Sequence, residues 1–385
     1  MKPRTILLIL VLIVIASAIF YLESQKPERI SPGAADIKPN ASLGEPSNIA
    51  QQEIKSLNKE KIAKYQLAKE IVNPSGYINT DKITVAELVG RKVILIDFWT
   101  YSCINCQRTI PYLNKWYEKY KDKGLVIIGV HTPEFGFEQK YENVQGAVNK
   151  FGVKYPVVMD NDYSTWTAYG NRYWPRKYLI DIDGFIVYDH IGEGAYEETE
   201  QKIQELLDER MAVLKIKENV TRELSKPTGA VDVDFAKVKS PEVYFGAGRN
   251  SNLGNGKSNT AGVQNLSEPA EIKTNILYLA GEWDFQDEFA ESKSSQAKII
   301  FRYNAKSVYI VASAKDSAII RIFRDGKPPG DEAGGDVMKK NGLNIVNISE
   351  PHLYKIIEDP AGYGEHTLEI IIENPGLHAF TFTFG

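Results

Sequence analysis

Apolar positions follow two rhythms along this chain, and the change between them falls near residue 230. From about residue 77, short unbroken apolar runs alternate with stretches whose apolar residues recur every three or four positions. This pattern predicts strands alternating with helices. Val93–Phe98 reads as a strand buried on both faces, and Gln107–Tyr120 places Ile110, Leu113, Tyr117 and Tyr120 at helical spacing. Leu125–His131, Gln139–Phe151 and Lys154–Met159 continue as strand, helix and strand. Lys177–Ile182 and Phe185–Asp189 flank Asp183-Gly184, which predicts a hairpin, and Glu197–Leu207 closes the unit as a helix.

Beyond residue 230 the helical period disappears. Glu242–Phe245, Asn275–Leu279, Lys298–Tyr303, Ser307–Ala312, Ala318–Phe323, Asn344–Ile348, Thr367–Ile372 and His378–Phe384 are short β-rich runs separated by loops rich in Gly, Asn, Pro and Asp. That spacing predicts an all-β sandwich. Ser251–Thr260, with three Asn and two Gly, is expected to be a mobile loop. At the other end, Lys2 and Arg4 precede the uncharged run Ile6–Leu22, which predicts a single membrane anchor over 1–22 with the bulk of the chain outside the cytoplasm. Ala16-Ser17-Ala18 offers the alternative of cleavage after Ala18 and secretion. Residues 23–48, with four prolines and few apolar residues, read as a flexible linker, and the lysine-rich Gln51–Ile71 as an amphipathic surface helix.

Composition narrows the function only a little. The 385 residues are 43% hydrophobic and 25% charged, enough for about two globular domains, and 46 basic against 50 acidic side chains give a net charge of −4. That balance offers nothing to nucleic acid.

The chemistry is concentrated in one place. Both cysteines, Cys103 and Cys106, lie where the Val93–Phe98 strand gives way to a helix. Backbone N–H groups at a helix start stabilise thiolate over thiol, and the thiolate is the form that attacks disulfides. Two intervening residues let the second sulfur reach the first. A zinc site would need further Cys or His ligands, but there is no second cysteine pair and the five histidines are scattered, so no metal is expected. Haem attachment would need His after the second Cys, where Gln107 stands. A structural disulfide is a weak alternative, because so short a loop constrains little entropy.

These residues resemble the thioredoxin superfamily. Asp97-Phe98-Trp99 stands before the CxxC pair, Pro111 falls five residues after Cys106, and Tyr173-Trp174-Pro175 looks like the cis-proline loop. The extra material between Leu125 and Met159 resembles the TlpA/redoxin branch. Gly76–Thr80, Asp97–Cys106, Val130–Phe135, Gly281-Glu282-Trp283, Asp325–Gly330, Glu350–Tyr354 and Ala379–Gly385 resemble the extracytoplasmic part of DipZ-type proteins. The resemblance implies a thioredoxin-like redox domain over 49–225 and a carbohydrate-binding-module-like β-sandwich over 226–385.

It also implies roles. Cys103 would attack, Cys106 would resolve, and Asp97 beneath them would take the Cys106 proton; Trp174, Pro175 and Trp99 would contact the substrate. Glu134 could relay protons. The redox group would be the Cys103–Cys106 disulfide, with no other cofactor. Substrates would be protein thiols and disulfides. The multi-helix membrane domain of DipZ-type proteins does not precede this part, so a separate membrane or soluble electron donor is expected. Trp283, Phe285 and Tyr354 could stack on a glycan or fill the sandwich. Two other functions stay open: a thiol peroxidase, suggested by Thr100 three residues before Cys103, and a glycan-binding protein with an incidental dithiol. The α/β unit contains every part of the mechanism, so the β-domain is expected to fold and be removed independently.

Overall fold

The structure is a computed structural model describing residues 59–385. The anchor over 1–22, the linker over 23–48 and the start of the Gln51–Ile71 helix lie outside the described residues. Of that helix, 59–64 is helical, and the chain then extends into β1 (Gln66–Leu67). Among the described residues no helix is long and apolar enough to cross a membrane.

The first half continues with β2 (Gly76–Ile78), β3 (Val93–Trp99), α1 (Ile104–Tyr120), β4 (Leu125–His131), α2 (Tyr141–Lys150), β5 (Val157–Met159), α3 (Ser164–Ala168), β6 (Arg176–Ile180), β7 (Phe185–Ile191) and α4 (Tyr196–Val213). Seven strands form one sheet in the order β1-β7-β6-β3-β4-β5-β2. β3, β4 and β5 are parallel, while β6, β7, β1 and β2 pair antiparallel.

Alternation along β3 decides the layering, because successive side chains leave a strand on opposite faces. Val93, Leu95 and Trp99 pack with Ile110, Leu113 and Trp116 of α1 and with Ile203 and Leu207 of α4. Ile94, Ile96 and Phe98 pack on the other side with Ile71, Val85, Trp166 and Tyr169. Asp97 shares the face of Leu95 and Trp99, so the carboxylate is set beneath α1.

At the far end of β6 the acidic group Asp181, Asp183 and Glu209 has the spacing of metal ligands. Its centre is taken by the Lys61 ammonium, at 2.6, 2.7 and 2.5 Å from the three carboxylates.

The second half is built from antiparallel strands: β8 (Val243–Tyr244), β9 (Gly262–Leu266), β10 (Leu277–Phe285), β11 (Ala290–Ser292), β12 (Ala297–Ala305), β13 (Ser307–Ala314), β14 (Ala318–Arg324), β15 (Met338–Lys340), β16 (Leu343–Ile348), β17 (His352–Glu358), β18 (Gly364–Ile372) and β19 (Leu377–Phe384). Its two layers share β10, whose Leu277–Ala280 pairs with β12 while Gly281–Phe285 pairs with β9. The crossing point is Gly281, at φ +94, where a Cβ would lie 2.6 Å from Ser294 Oγ. Only glycine fits there.

Trp283 and Phe285 are fully buried in this core, so both rings fill the sandwich and offer no sugar platform, whereas Tyr354, 8% exposed, packs with the core and lines a cleft facing α2. The polar segment Ser251–Thr260 differs from its expectation as well. Asn255 donates to the carbonyls of Ser267 and Leu279, and Asn252 donates to that of Asn275, so side-chain hydrogen bonds pin it to the sheet.

The two halves pack against each other within one compact unit. Ile104 and Phe135 from the first half pack with Tyr309, Val311, Leu353 and Phe380 from the second in a shared apolar cluster. Phe380 meets Phe135 and Phe137 at ring-centroid distances of 5.1 and 4.9 Å. The two periods along the sequence mark a change of architecture, and a shared apolar cluster joins the two halves across it.

Candidate active site

β3 ends at Trp99, and the chain turns through Thr100, Tyr101 and Ser102 before α1 begins. Cys103 is the residue capping that helix, with extended backbone at φ −81 and ψ 116, and its Sγ accepts the Cys106 N–H at 3.2 Å. Both cysteines are free thiols. The Cys106 thiol donates to Cys103 Sγ at 2.6 Å. Cys103 is partly exposed whereas Cys106 is 1% exposed, so one sulfur meets solvent and the other lies beneath it. Burial pushes the Cys106 thiol well above its ordinary value, and the Cys103 sulfur and the Asp97 carboxylate push the same way.

Asp97 is buried, and one of its oxygens, Oδ1, has no hydrogen-bond partner. Desolvation pushes its pKa up to about 7, against the pull of the Lys177 ammonium. Lys177 was not singled out by the sequence. In the β3–β6 ladder it is directly opposite Asp97, and residues directly opposite each other share a face. It is fully buried and donates to the Gly192 carbonyl at 3.0 Å. Burial lowers its pKa while Asp97, Cys106 and Glu193 hold it up. A buried carboxylate with a pKa near neutrality, beside a buried cation and beneath a thiol reluctant to ionise, is equipped to move one proton.

The same ladder pairs Phe98 with Arg176, which brings Pro175 to the end of β3 where the dithiol loop begins. The Trp174–Pro175 peptide is cis. Pro175 is buried, and Trp174, half-buried, donates from its indole to the Thr132 carbonyl at 3.0 Å. Trp174 therefore remains available at the rim. Trp99 does not: it is 1% exposed, edge-on to His131 at 5.1 Å, and its expected contact with substrate is corrected to a core role. The alternation that buries Asp97 buries Trp99 with it.

Glu134 is also placed elsewhere than expected. Its carboxylate accepts from Tyr244 Oη at 2.9 Å and pairs with Arg249 Nη1 at 2.8 Å, both from the second half. It ties the loop after β4 to the second half.

The carboxylate that does shape the loop is Glu138, fully buried and missed by the sequence reading. Its Oε1 accepts from Ser102 Oγ at 2.6 Å and Ser102 N at 3.2 Å, and its Oε2 from the N–H groups of Glu134 and Phe135 at 2.6 and 3.0 Å. One side chain thus ties the residue before Cys103 to the loop after β4. Its only sequence signal is an acid set among Phe135 and Phe137.

Arg108, one turn into α1, is likewise buried and clamps Glu193 through Nε and Nη2 while donating to Asn105 Oδ1 at 2.8 Å. His131 is buried between Trp99 and Tyr101, and desolvation lowers its pKa to about 3, so it is neutral. The Thr100 hydroxyl lies 3.5 Å from His131 Nε2.

The chain is similar to known proteins over most of its length. Residues 69–207 match the Redoxin family, and residues 240–385 match the family described as thioredoxin like C-terminal domain. Protein DipZ of Mycobacterium tuberculosis is 36% identical over 321 residues, which are 83% of this chain and 43% of that protein. The chain thus spans less than half the length of the first curated relatives it matches. Thiol-disulfide oxidoreductase ResA of Bacillus anthracis is 35% identical over 147 residues, 37% of this chain and 80% of the relative. The solution structure of a thioredoxin-like protein in the oxidised form is 26% identical, covers 38% of this chain and 97% of its own, and superposes with a TM-score of 0.35.

Proposed function

Because this chain belongs to the thioredoxin superfamily, in the redoxin branch that includes ResA-type thiol-disulfide oxidoreductases, we propose that it exchanges disulfides with protein clients through Cys103 and Cys106. The observation that carries the reading is vertical order at the helix start: a partly exposed sulfur, a buried sulfur 2.6 Å away, and a buried carboxylate on the same face.

In the reducing direction the Cys103 thiolate attacks one sulfur of a client disulfide. The client S–S bond breaks, the departing client sulfur leaves as a thiolate, and a Cys103–client disulfide forms. Cys106 then attacks Cys103 Sγ, its proton passing to Asp97, and the second client sulfur departs. Two electrons have moved to the client, and the protein holds a Cys103–Cys106 disulfide. The reverse sequence oxidises a client dithiol. Lys177 keeps the ionised form of Asp97 accessible at neutral pH, and Trp174 borders the approach.

A donor dithiol on another protein must restore the reduced state. The basic residues Lys2 and Arg4 before the apolar run Ile6–Leu22 support placement outside the cytoplasm on a membrane anchor, where disulfides persist and such a donor is needed.

The test is trapping. With Cys106→Ser the mixed disulfide has no resolving thiol, so client adducts should accumulate on Cys103, whereas Cys103→Ser should accumulate none. Adducts formed through Cys106 would reverse the assignment, and adducts with neither variant would refute the exchange.

A further inference from the structure

In this protein the dithiol is not a free-standing surface motif. Ile104, the residue directly after the attacking cysteine, is 8% exposed because Tyr309 and Val311 of β13, Leu353 of β17 and Phe380 of β19 cover it. Pro175 and Pro133 are buried too. Arg172 and Tyr173, just before the cis-proline, are exposed, Tyr173 at 48%, and Trp174 is half-buried.

The covering sheet leaves an opening among the described residues. Between α2 and the start of β17 lies a cleft of about 580 Å³, lined by Tyr101, Gly146, Lys150, Phe151, His352 and Tyr354. Tyr101 is two residues before Cys103, so their Cα atoms are no more than about 8 Å apart. The cleft mixes aromatic faces with polar groups. It has room for a few side chains and none for a folded domain.

We propose that the second half of the protein forms the far wall of the client site, and that the cleft between α2 and β17 receives one arm of an extended polypeptide whose disulfide lies at Cys103. This rests on the disulfide-exchange reading above and adds the class of client: flexible or unfolded chain, with rigid folded disulfides excluded by the wall. Specificity of this kind comes from steric rejection as much as from attraction.

Gly146 provides the test. It faces the cleft from the middle of α2, a Cβ there meets nothing within 4 Å, and its backbone is helical, so a side chain can be added there and Gly146→Trp places an indole at the cleft. Three substrates are compared on the full chain: the small disulfide dithiobis(nitrobenzoate), a flexible peptide closed by one disulfide, and a folded protein with an accessible disulfide. The unmodified protein should favour the flexible peptide over the folded protein by about tenfold or more in kcat/KM, and Gly146→Trp should lower the peptide-to-small-disulfide ratio by about tenfold. Equal rates on peptide and folded protein, or an unchanged ratio in the variant, would overturn the proposal. No reaction with the small disulfide would instead refute disulfide exchange, and the wall with it.

A second readout needs neither turnover nor variant. Reduced Cys103 should react with iodoacetamide readily, and with a maleimide carrying a polyethylene glycol chain far more slowly than a free cysteine does. Matching relative rates would mean the wall is absent.

Discussion

Replacing Asp97 with Asn removes the proposed proton acceptor and keeps the shape of the side chain, so its effect falls on one step. Burial holds the Cys106 thiol well above its ordinary value of 9.0. At pH 7 less than about 1% of such a thiol is ionised. Unassisted attack by Cys106 therefore runs at no more than about one hundredth of its thiolate-limited rate. Asp97, with its pKa pushed up to about 7, is roughly half ionised at that pH and can accept the proton as the sulfur attacks. The expected loss on Asp97→Asn is about 100-fold, within the range for one positioned base.

Dithiobis(nitrobenzoate) separates the steps, because attack by Cys103 releases one nitrothiobenzoate and resolution by Cys106 releases the second. In the unmodified protein the second phase should rise with pH through an inflection near 7, since only ionised Asp97 accepts a proton. In Asp97→Asn the first phase should persist, while the second should be about 100-fold slower at pH 7 and keep rising with pH beyond 9 as solvent base takes over. A second phase within about threefold of the original, with the inflection still present, would refute the reasoning.

Three further outcomes follow from the same site. Lys177→Met removes the cation that pulls the Asp97 pKa down, so the inflection of the second phase should move to higher pH; an unmoved inflection would mean the ladder partners do not sense each other. Glu138→Gln replaces two acceptor oxygens with one and turns an N–H-bearing group toward N–H donors, so urea unfolding should show a loss of about 2 kcal/mol or more, and a change below about 0.5 kcal/mol would contradict the four-bond arrangement. Residues 49–225 expressed alone should bind a hydrophobic dye and aggregate, because the cover over Ile104 and Phe135 is gone; a monodisperse fragment reducing insulin at the rate of the full chain would favour independent modules.

Those residues also show what the sequence carried and what it could not. β3 and β4 were legible because a strand buried on both faces is written as an uninterrupted apolar run, and the CxxC pair at its end fixes the site. β10 was legible only to Leu279, since Gly281 looks like the end of a strand when it is a crossing between layers. β17 was missed entirely, its period broken by Lys355.

Lys177 was hidden for a different reason. A lysine beginning an apolar run is ordinarily read as a solvated strand end, and only the ladder register reveals that it lies across from Asp97. Glu134 and Glu138 are four residues apart in one loop, and nothing local says which faces the dithiol loop and which faces the second half. That choice is made by Tyr244 and Arg249, more than a hundred residues away. The contact between the two halves was hidden in the same way: Ile104 and Phe380 each look like ordinary core residues until they meet.

The Lys61 knot sets the direction in which the molecule faces. Asp181 and Asp183 lie in the turn that follows β6, whereas Pro175 immediately precedes that strand, so the knot and the cis-proline loop occupy opposite ends of it, roughly 17 Å apart along five residues. Lys61 therefore fastens the first described helical turn at the pole remote from Cys103, so a load carried by the chain ahead of it would enter there and leave the dithiol loop undisturbed.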